Sequence, residues 1–546
     1  MTRRHWSIVA VVAGVLLLGA FAYLSWWDKY VGDGLGQWAT DEVGRRTENA
    51  YRLNIGHLDF HPLIGYFSFD SAVVTTDTAA NQHRAVPLPD LQVRAIGCRI
   101  SGVRVLRLAF QHRFDAGHMG CSSVGAAVQL QELPEQVADR PDTADHPAAP
   151  VARRPPLGIT RFDIADVSFP TMTFSLRRPG PRGESSVRLE RARLVAELVR
   201  FDPMAPLGEH GALLSKGVRF DASQFVLRPD TLSEFAIGAI DAGISDSTFR
   251  LDSIVYAPRL AGDAWTRAQR RRHDRIAFTL QTFEGRGVAY RRLLRTGDVH
   301  IRALELTGAS LEVLSDKRLP PGPKGRYSTP QQAAQRSKPA LRVDSLLIRQ
   351  SQITYQERKK DRPQPGQVTF TQLDCRVVHL DVPSRGMPLT IDASTRLMDT
   401  GTLMVHITVP LDAPNFQFDV TGRLGPMPVG AFNGFLQETA PVKIKGGRAD
   451  SIVFSIRTRG GVAKGSATPF YHDLAIDFSS GGVLGFVKAG VVEFAANKFK
   501  VRSNNPDEKG KKPTVGTSSR SYDPSNSWIS FLWMGVRDPL LKAVVK

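Results

Sequence analysis

The sequence predicts a mainly β protein carried behind one N-terminal transmembrane helix, and three observations make that prediction. Leu389 to Leu424 reads as three runs of alternating polarity joined by short turns. No helical periodicity longer than a few turns appears between Ile159 and Val501. Trp6 to Trp27 contains no charged residue and is long enough to cross a bilayer core as a helix. With 546 residues the chain exceeds one ordinary core, so several domains or one extended architecture are expected.

The N-terminal span carries its own orientation signal. Arg3 and Arg4 precede it, whereas Asp28, Lys29 and Asp33 follow, which holds the N-terminus in the cytoplasm and sends the bulk across the membrane. Trp6, Trp26 and Trp27 sit near its ends as interfacial anchors, and Leu16, Leu17 and Leu18 lie at its apolar middle. The rival reading is a cleaved signal peptide, because Ala20-Phe21-Ala22 fits a small-x-small site. The apolar run continues to Trp27 beyond that site, which favours a retained anchor in residues 1–30.

A lead-in helix and strands follow in residues 31–130, with Trp38 and Val43 expected inward. Asn54 to Phe69 reads as two strands broken at Pro62-Leu63-Ile64-Gly65. Residues 131–158 are rich in Pro, Ala and acids without apolar periodicity, a disordered linker. Strands resume through a middle region, 159–316, interrupted by the basic run Arg267, Arg270, Arg271, Arg272 and Arg275. That run is either a solvated loop that blocks strand pairing or a contact for anionic headgroups. Ile301 to Leu306 through Gly308 to Ser310-Leu311-Glu312-Val313-Leu314 is echoed by Leu341 to Leu346 through Ser351 to Ile353-Thr354-Tyr355. Each is read as a strand, a tight turn and a second strand, so the sheet is expected to grow by repeated hairpins. A linker at 317–340 separates the two copies, and a β region occupies 341–502. Residues 503–526 read as a flexible tether, and 527–546 as an amphipathic tail suited to an interface or an apolar groove. Asp538-Pro539 is expected to start a second short helix within that tail.

The strictest pattern defines the candidate site. Leu389 and Ile391, then Leu403, Val405, Ile407, Val409 and Leu411, then Phe416, Phe418 and Val420 share one face of a meander. Thr402, His406 and Thr408 share the other, and Met404 is the one sizeable apolar residue out of phase in the middle run. The ten apolar residues are expected to line a groove or a core.

Composition narrows the chemistry. Apolar content of 42% and charged content of 23% exclude wholesale disorder. The net charge of +18 suits an anionic membrane surface or nucleic acid, but no nucleic-acid-binding motif accompanies it. No nucleophile elbow, phosphate-binding Gly loop or His-Glu-x-x-His segment is present, so neither catalytic residues nor a cofactor nor a metal is assigned. His57-x-Asp59-x-His61 and the trio-spaced His112, Asp115, His118 and Cys121 are weak metal patterns, better read as solvated strand and loop residues. Cys98 and Cys121 either pair in an oxidising compartment or remain small buried thiols.

Four stretches resemble the AsmA-like family of anchored bacterial envelope proteins. They are the span leading into Tyr51 to Leu63; Leu341 to Leu346 with Ile353-Thr354-Tyr355 and Gly366 to Phe370; Phe432 to Leu436 before Ile444-Lys445-Gly446-Gly447; and Gly465 with Phe470 to Leu474. The likeness covers the anchor and the last 200 or so residues. It implies an elongated, curled antiparallel sheet with an apolar groove, held at the bacterial inner membrane with its bulk in the periplasm. It further implies phospholipid transport between membranes or outer-membrane lipid homeostasis, with an acyl lipid, the inner membrane and outer-membrane or envelope proteins as partners. The alternative is an anchored β-sandwich scaffold or assembly factor that binds proteins, and the discriminating feature is whether the apolar face is sealed.

Overall fold

A computed structural model describes residues 36–130, 160–201, 213–478 and 501–545, except positions 38, 46, 62–63, 83–87, 181–182, 216, 270, 323–324, 385, 441 and 509. The expected anchor with Trp6, Leu16, Leu17, Leu18, Trp26 and Trp27, the 131–158 linker and Trp38 lie outside the described residues. Among the described residues no helix is long and apolar enough to cross a membrane.

The chain divides into two units, Met1–Thr231 with Ala236–Asp246, and Leu232–Phe235 with Ser247–Lys546. Strands of unit 1 are β1 (Tyr51–Ile55), β2 (Leu58–His61), β3 (Tyr66–Thr76), β4 (Asp90–Ser101), β5 (Arg113–Gln129), β6 (Arg161–Arg178), β7 (Ser185–Phe201), β8 (Leu213–Leu214), β9 (Gly217–Arg228) and most of β10 (Ser233–Gly243). Short helices α1 (Thr78–Gln82) and α2 (Val105–Gln111) accompany them. Neighbouring strands pair antiparallel, except β5 and β6, which run parallel. Leu108 of α2 closes a small core with Ile100, Val103, Phe114 and Ala116. Cys98 and Cys121 face each other across β4 and β5 and are disulfide-bonded.

Unit 2 contains β11 (Thr248–Pro258), β12 (Arg275–Val288), β13 (Val299–Asp316), β14 (Leu341–Arg358), β15 (Gly366–Val382), β16 (Leu389–Leu397), β17 (Gly401–Val409), β18 (Phe418–Leu424), β19 (Met427–Pro428), β20 (Val442–Arg459), β21 (Val462–Phe478) and β22 (Gly516–Ser521). Its helices are α3 (Gly262–Arg267), α4 (Tyr290–Thr296), α5 (Pro330–Arg336), α6 (Asn433–Thr439) and α7 (Trp528–Val544). All pairings from β11 through β22 are antiparallel apart from β13 with β14.

The echo read as two hairpins is two long parallel strands. Gly308 (φ +71°) and Gln350 (φ +50°) occupy the left-handed region within β13 and β14, and each bends its strand without reversing it. Ser253 (φ +56°) in β11 and Gln372 (φ +49°) in β15 continue this transverse line of bends across the sheet. A small residue in a polar stretch signals a bend or a turn equally well from sequence. The return between the copies is made instead through the 317–340 segment, which contains α5.

Two further expectations are corrected. The 503–526 segment is not a bare tether, because it contributes β22 and the buried Asn505, whose side chain bonds the Pro469 carbonyl at 2.5 Å and the Thr514 N–H at 2.7 Å. Asn505 is a polar residue whose hydrogen bonding is buried, which composition reads as solvation. The tail forms one helix with Pro539 inside it. Ser527 caps it, accepting from the Ser530 N–H at 3.2 Å. Proline releases the Gly535 carbonyl from the helical ladder, and the strand at Gly465 approaches that carbonyl so closely that a Cβ there would lie 2.3 Å away.

Candidate functional site: the apolar face and what covers it

The meander forms as the alternation predicts. Leu389 pairs with Val409, Ile391 with Ile407, Ile407 in turn with Val420, and Val420 with Ile456 across β16, β17, β18 and β20. Leu403, Val405, Ile407 and Val409 share the inner face, while Thr402, Met404 and His406 are exposed on the other. Strand β18 begins at Phe418, so Phe416 and Leu411 reach the same face from a loop.

On the outer face the polar side chains pair across strands. His406 Nδ1 lies 2.6 Å from Asp392 Oδ1, and Thr408 Oγ1 lies 3.2 Å from His406 Nε2. A shallow depression of about 770 Å³ runs along this face, with Asp392, Ser394, Met404, His406, Thr421 and Arg423 along its walls.

The inner face of the meander is sealed at Val409, Leu411, Phe416, Phe418 and Val420, while Leu389, Ile391, Leu403, Val405 and Ile407 stay part-exposed. Phe531 from α7 is 1% exposed and inserts between Phe416, Phe418 and Tyr522, with ring centroids 5.8, 6.3 and 5.3 Å away. Leu532, Val536 and Leu540 extend that contact, and Val409, Phe418, Val420 and Ile456 are each 1% exposed beneath it. Three glycines permit the approach. A Cβ on Gly516 would meet the Pro539 carbonyl oxygen at 1.8 Å, and one on Gly535 would meet Ile456 at 2.9 Å, in addition to the Gly465 contact. Buried Asp538 pins the helix to β22, accepting from Arg520 Nη2 at 2.8 Å, with Arg537 alongside at 2.8 Å. Helix α5 completes this cover: Ala334 joins the cluster, and Gln331 donates to the Pro410 and Gln417 carbonyls at 3.1 and 2.7 Å.

A second cover lies at the other end of these strands. The turn Val429–Phe432 and Leu436 of α6 pack over Leu424, Met427, Ile444 and Tyr471. Asn433 fixes this cap through two 2.8 Å bonds with Ile444.

The same apolar face continues across β15 to β11, where Val382 still joins the α7-covered cluster and Phe435 of α6 lies 6.5 Å from Tyr355, but two rows farther along it stay part-exposed. One cross-strand row runs Leu251, Phe283, Leu306, Ile348 and Cys375, and joins the meander at Ala393 and Val405. A second runs Tyr256, Phe278, Leu311, Ile353 and Phe370 to Leu397. Every member of both rows from β11 to β15 is part-exposed, and none belongs to a buried cluster. In β14 the inward residues Val343, Leu346, Ile348, Ser351, Ile353 and Tyr355 are spaced by three, two, three, two and two, because bulges interrupt the alternation. Unit 1 repeats the theme in a row of seven strands: Leu53, Val74, Val93, Ala126, Phe174, Leu189 and Phe225. None of these seven is buried.

At one end of the unsealed rows stands a charged network. Glu357 is 9% exposed and lies 2.7 Å from Lys317 and 2.9 Å from Lys359. Burial raises its pKa, but the two lysines outweigh burial and hold the carboxyl below its ordinary range. Asp316, 2% exposed, behaves likewise: burial opposes its charge, and Arg318 at 2.6 Å restores it. The Tyr355 hydroxyl donates to Glu357 at 3.2 Å, and burial followed by that carboxylate raises its pKa.

The weak metal patterns resolve into other contacts. Cys121 is disulfide-bonded, Asp115 contacts Arg107, His118 contacts Asp166, and His57 bonds Asp59 at 3.0 Å. Among the described residues no group of three or more His, Cys, Asp or Glu is arranged to hold a metal.

Fold and faces define a class: a β protein whose sheets carry one apolar side, helically sealed in part. No protein-family model matches the chain, and no curated protein matches it.

Proposed function

We propose that this protein carries acyl lipids along the unsealed apolar rows of its sheets, as an inner-membrane-anchored periplasmic protein that moves phospholipid between membranes or maintains outer-membrane lipid. The observation that carries the reading is the part-exposed row from Leu251 to Cys375, matched in unit 1 by the row from Leu53 to Phe225. Soluble proteins rarely leave long contiguous apolar strips uncovered without a ligand or partner. Moving a sixteen-carbon chain through water costs on the order of 12 kcal/mol at ~0.8 kcal/mol per methylene. An apolar track removes most of that barrier with no catalytic group. The Cys98–Cys121 bond supports an oxidising compartment, and the uncharged Trp6–Trp27 run supports an anchor.

One observation favours a scaffold as the second reading. Val409, Leu411, Phe416, Phe418 and Val420 form a filled core, as a protein-binding sandwich would have. Under the lipid reading these five residues are structural, and the carrying surface lies on β11–β15.

The test is lipid analysis by mass spectrometry of the full-length protein purified in mild detergent, beside Leu306→Asp and Ile348→Asp. Phospholipid should accompany the parent protein and fall severalfold in both variants while their circular dichroism melts persist. Lipid-free protein in every preparation supports the scaffold.

A further inference from the structure

We propose that the ends of β12–β15 form a binding site for the phosphodiester headgroup of an anionic phospholipid whose acyl chains lie on the adjoining apolar rows. The proposal rests on the lipid-carrying reading and adds a substrate class and a site to it.

Register brings four strand ends together. Arg275 opens β12 opposite Leu314, Asp316 ends β13 beside Arg358 of β14, and Glu357 pairs with Gly366 at the start of β15. The last apolar row, Ile276, Val313, Tyr355 and Val368, therefore stops within about two residues, roughly 7 Å, of this edge. The described residues of segments 263–275, 316–318 and 357–362 converge there with ten Lys and Arg against five Asp and Glu, a surplus of five positive charges. The arginine-rich segment is tied to the edge through its backbone. The Arg272 N–H donates to the Pro320 carbonyl at 2.9 Å, and its guanidinium donates to the Leu319 carbonyl at 3.2 Å.

The cations fall into two groups. Lys317 and Lys359 converge on buried Glu357 and are held in place by it. Arg267, Arg271, Lys360 and Arg362 are exposed, and no ion pair joins them to a described carboxylate. Ile276, 42% exposed, stands between this edge and the apolar rows. An amphiphile meets both requirements at once: chains over Leu311 and Ile353, and phosphate among the free cations. Charge-assisted bonds from Arg and Lys to phosphate oxygens are the strong, oriented contacts such a headgroup needs. A zwitterionic lipid would bring an ammonium group into the same positive field and gain less.

The experiment uses the full-length protein in detergent and fluorescent phosphatidylglycerol and phosphatidylcholine with identical chains. At low salt phosphatidylglycerol should bind about tenfold more tightly, and the preference should shrink to about twofold or less at 1 M salt, where the Debye length is about 3 Å. Arg271→Glu, Lys360→Glu and Arg362→Glu combined should abolish the preference by weakening phosphatidylglycerol severalfold more than phosphatidylcholine, and leave the thermal melt unchanged. Inorganic phosphate at matched ionic strength should not displace phosphatidylglycerol. Equal affinity for both lipids, or a preference that survives the triple variant, overturns the headgroup site while leaving acyl binding intact. Displacement by inorganic phosphate shows a general anion site and overturns the lipid assignment. Binding of neither lipid overturns this proposal together with the reading beneath it.

Discussion

Two parts of unit 2 share one apolar face and treat it oppositely. Over β16–β22 the face is packed against α7, α5 and the Val429–Thr439 turn and helix, and Val409, Phe418, Val420 and Ile456 are each 1% exposed, while Ile391, Val405 and Ile407 stay part-exposed. Over β11–β15 the face is continuous with it through Cys375, Ala393 and Val405, yet no side chain of the two rows reaches burial. The alternation of apolar residues is similar in both. A patterned strand therefore specifies a face, and only the presence of a partner element decides whether that face becomes core or surface. Here α7 of the tail is one such partner, beside α5 and the Val429–Thr439 turn and helix.

The largest expected effect breaks the sealed part. Phe418→Asp buries an unpaired carboxylate beneath Phe531 and should cost several kcal/mol, enough to abolish the cooperative thermal transition of unit 2. Phe531→Ala should follow at about 3–5 kcal/mol, measured by urea denaturation, because it empties the space among Phe416, Phe418 and Tyr522. Gly516→Val should cost about 1–3 kcal/mol or more and expose α7 to proteolysis, since its side chain collides with the Pro539 backbone.

Smaller effects belong to the unsealed part. Leu306→Asp should cost about 1 kcal/mol or less, because its carboxylate stays hydrated on a part-exposed strand. Its signature should be lost lipid. The charged edge adds an acid sensitivity of its own. Glu357 has a folded pKa depressed below its ordinary 4.5, so its stabilisation is fully present above that value and disappears as pH falls through the lower folded one. Melts taken as pH falls below 4.5 should show this loss, and Glu357→Gln should flatten it. At the small end, His406→Asp places a second carboxylate opposite Asp392 on the outer face and should cost under about 1 kcal/mol. A larger loss there than in Phe418→Asp would reverse the assigned faces.

The meander was legible because its period of two runs unbroken from Leu389 to Val409, apart from the turn at Asp399-Thr400-Gly401. The longer strands were legible as strands but not as single ones. Gly308 and Gln350 shift the apolar spacing from two to three, and that shift looks like a turn. Loop chemistry hid more. Gln331 and Asn505 are polar residues with buried side chains that donate to backbone carbonyls, and nothing local distinguishes them from solvated ones. The seal itself was half visible. The tail was expected to suit an interface or a groove, but its docking site is specified by Gly465, Gly516 and Gly535, whose meaning depends on contacts distant in sequence. The cationic edge was visible only as the arginine run; Lys317, Lys359 and Glu357 join it through the parallel pairing of β13 with β14, which no periodicity announces.

The contrast between the two parts is tested most directly by photo-crosslinking. The full-length protein, loaded with a phospholipid bearing a diazirine on its acyl chain, is irradiated and its adducts are mapped by peptide mass spectrometry. Adducts should concentrate on the rows containing Leu306, Ile348, Leu311 and Ile353, and spare Val409, Phe418 and Val420 beneath α7. Adducts confined to the residues under α7, or none on β11–β15 in lipid-loaded protein, would contradict the account.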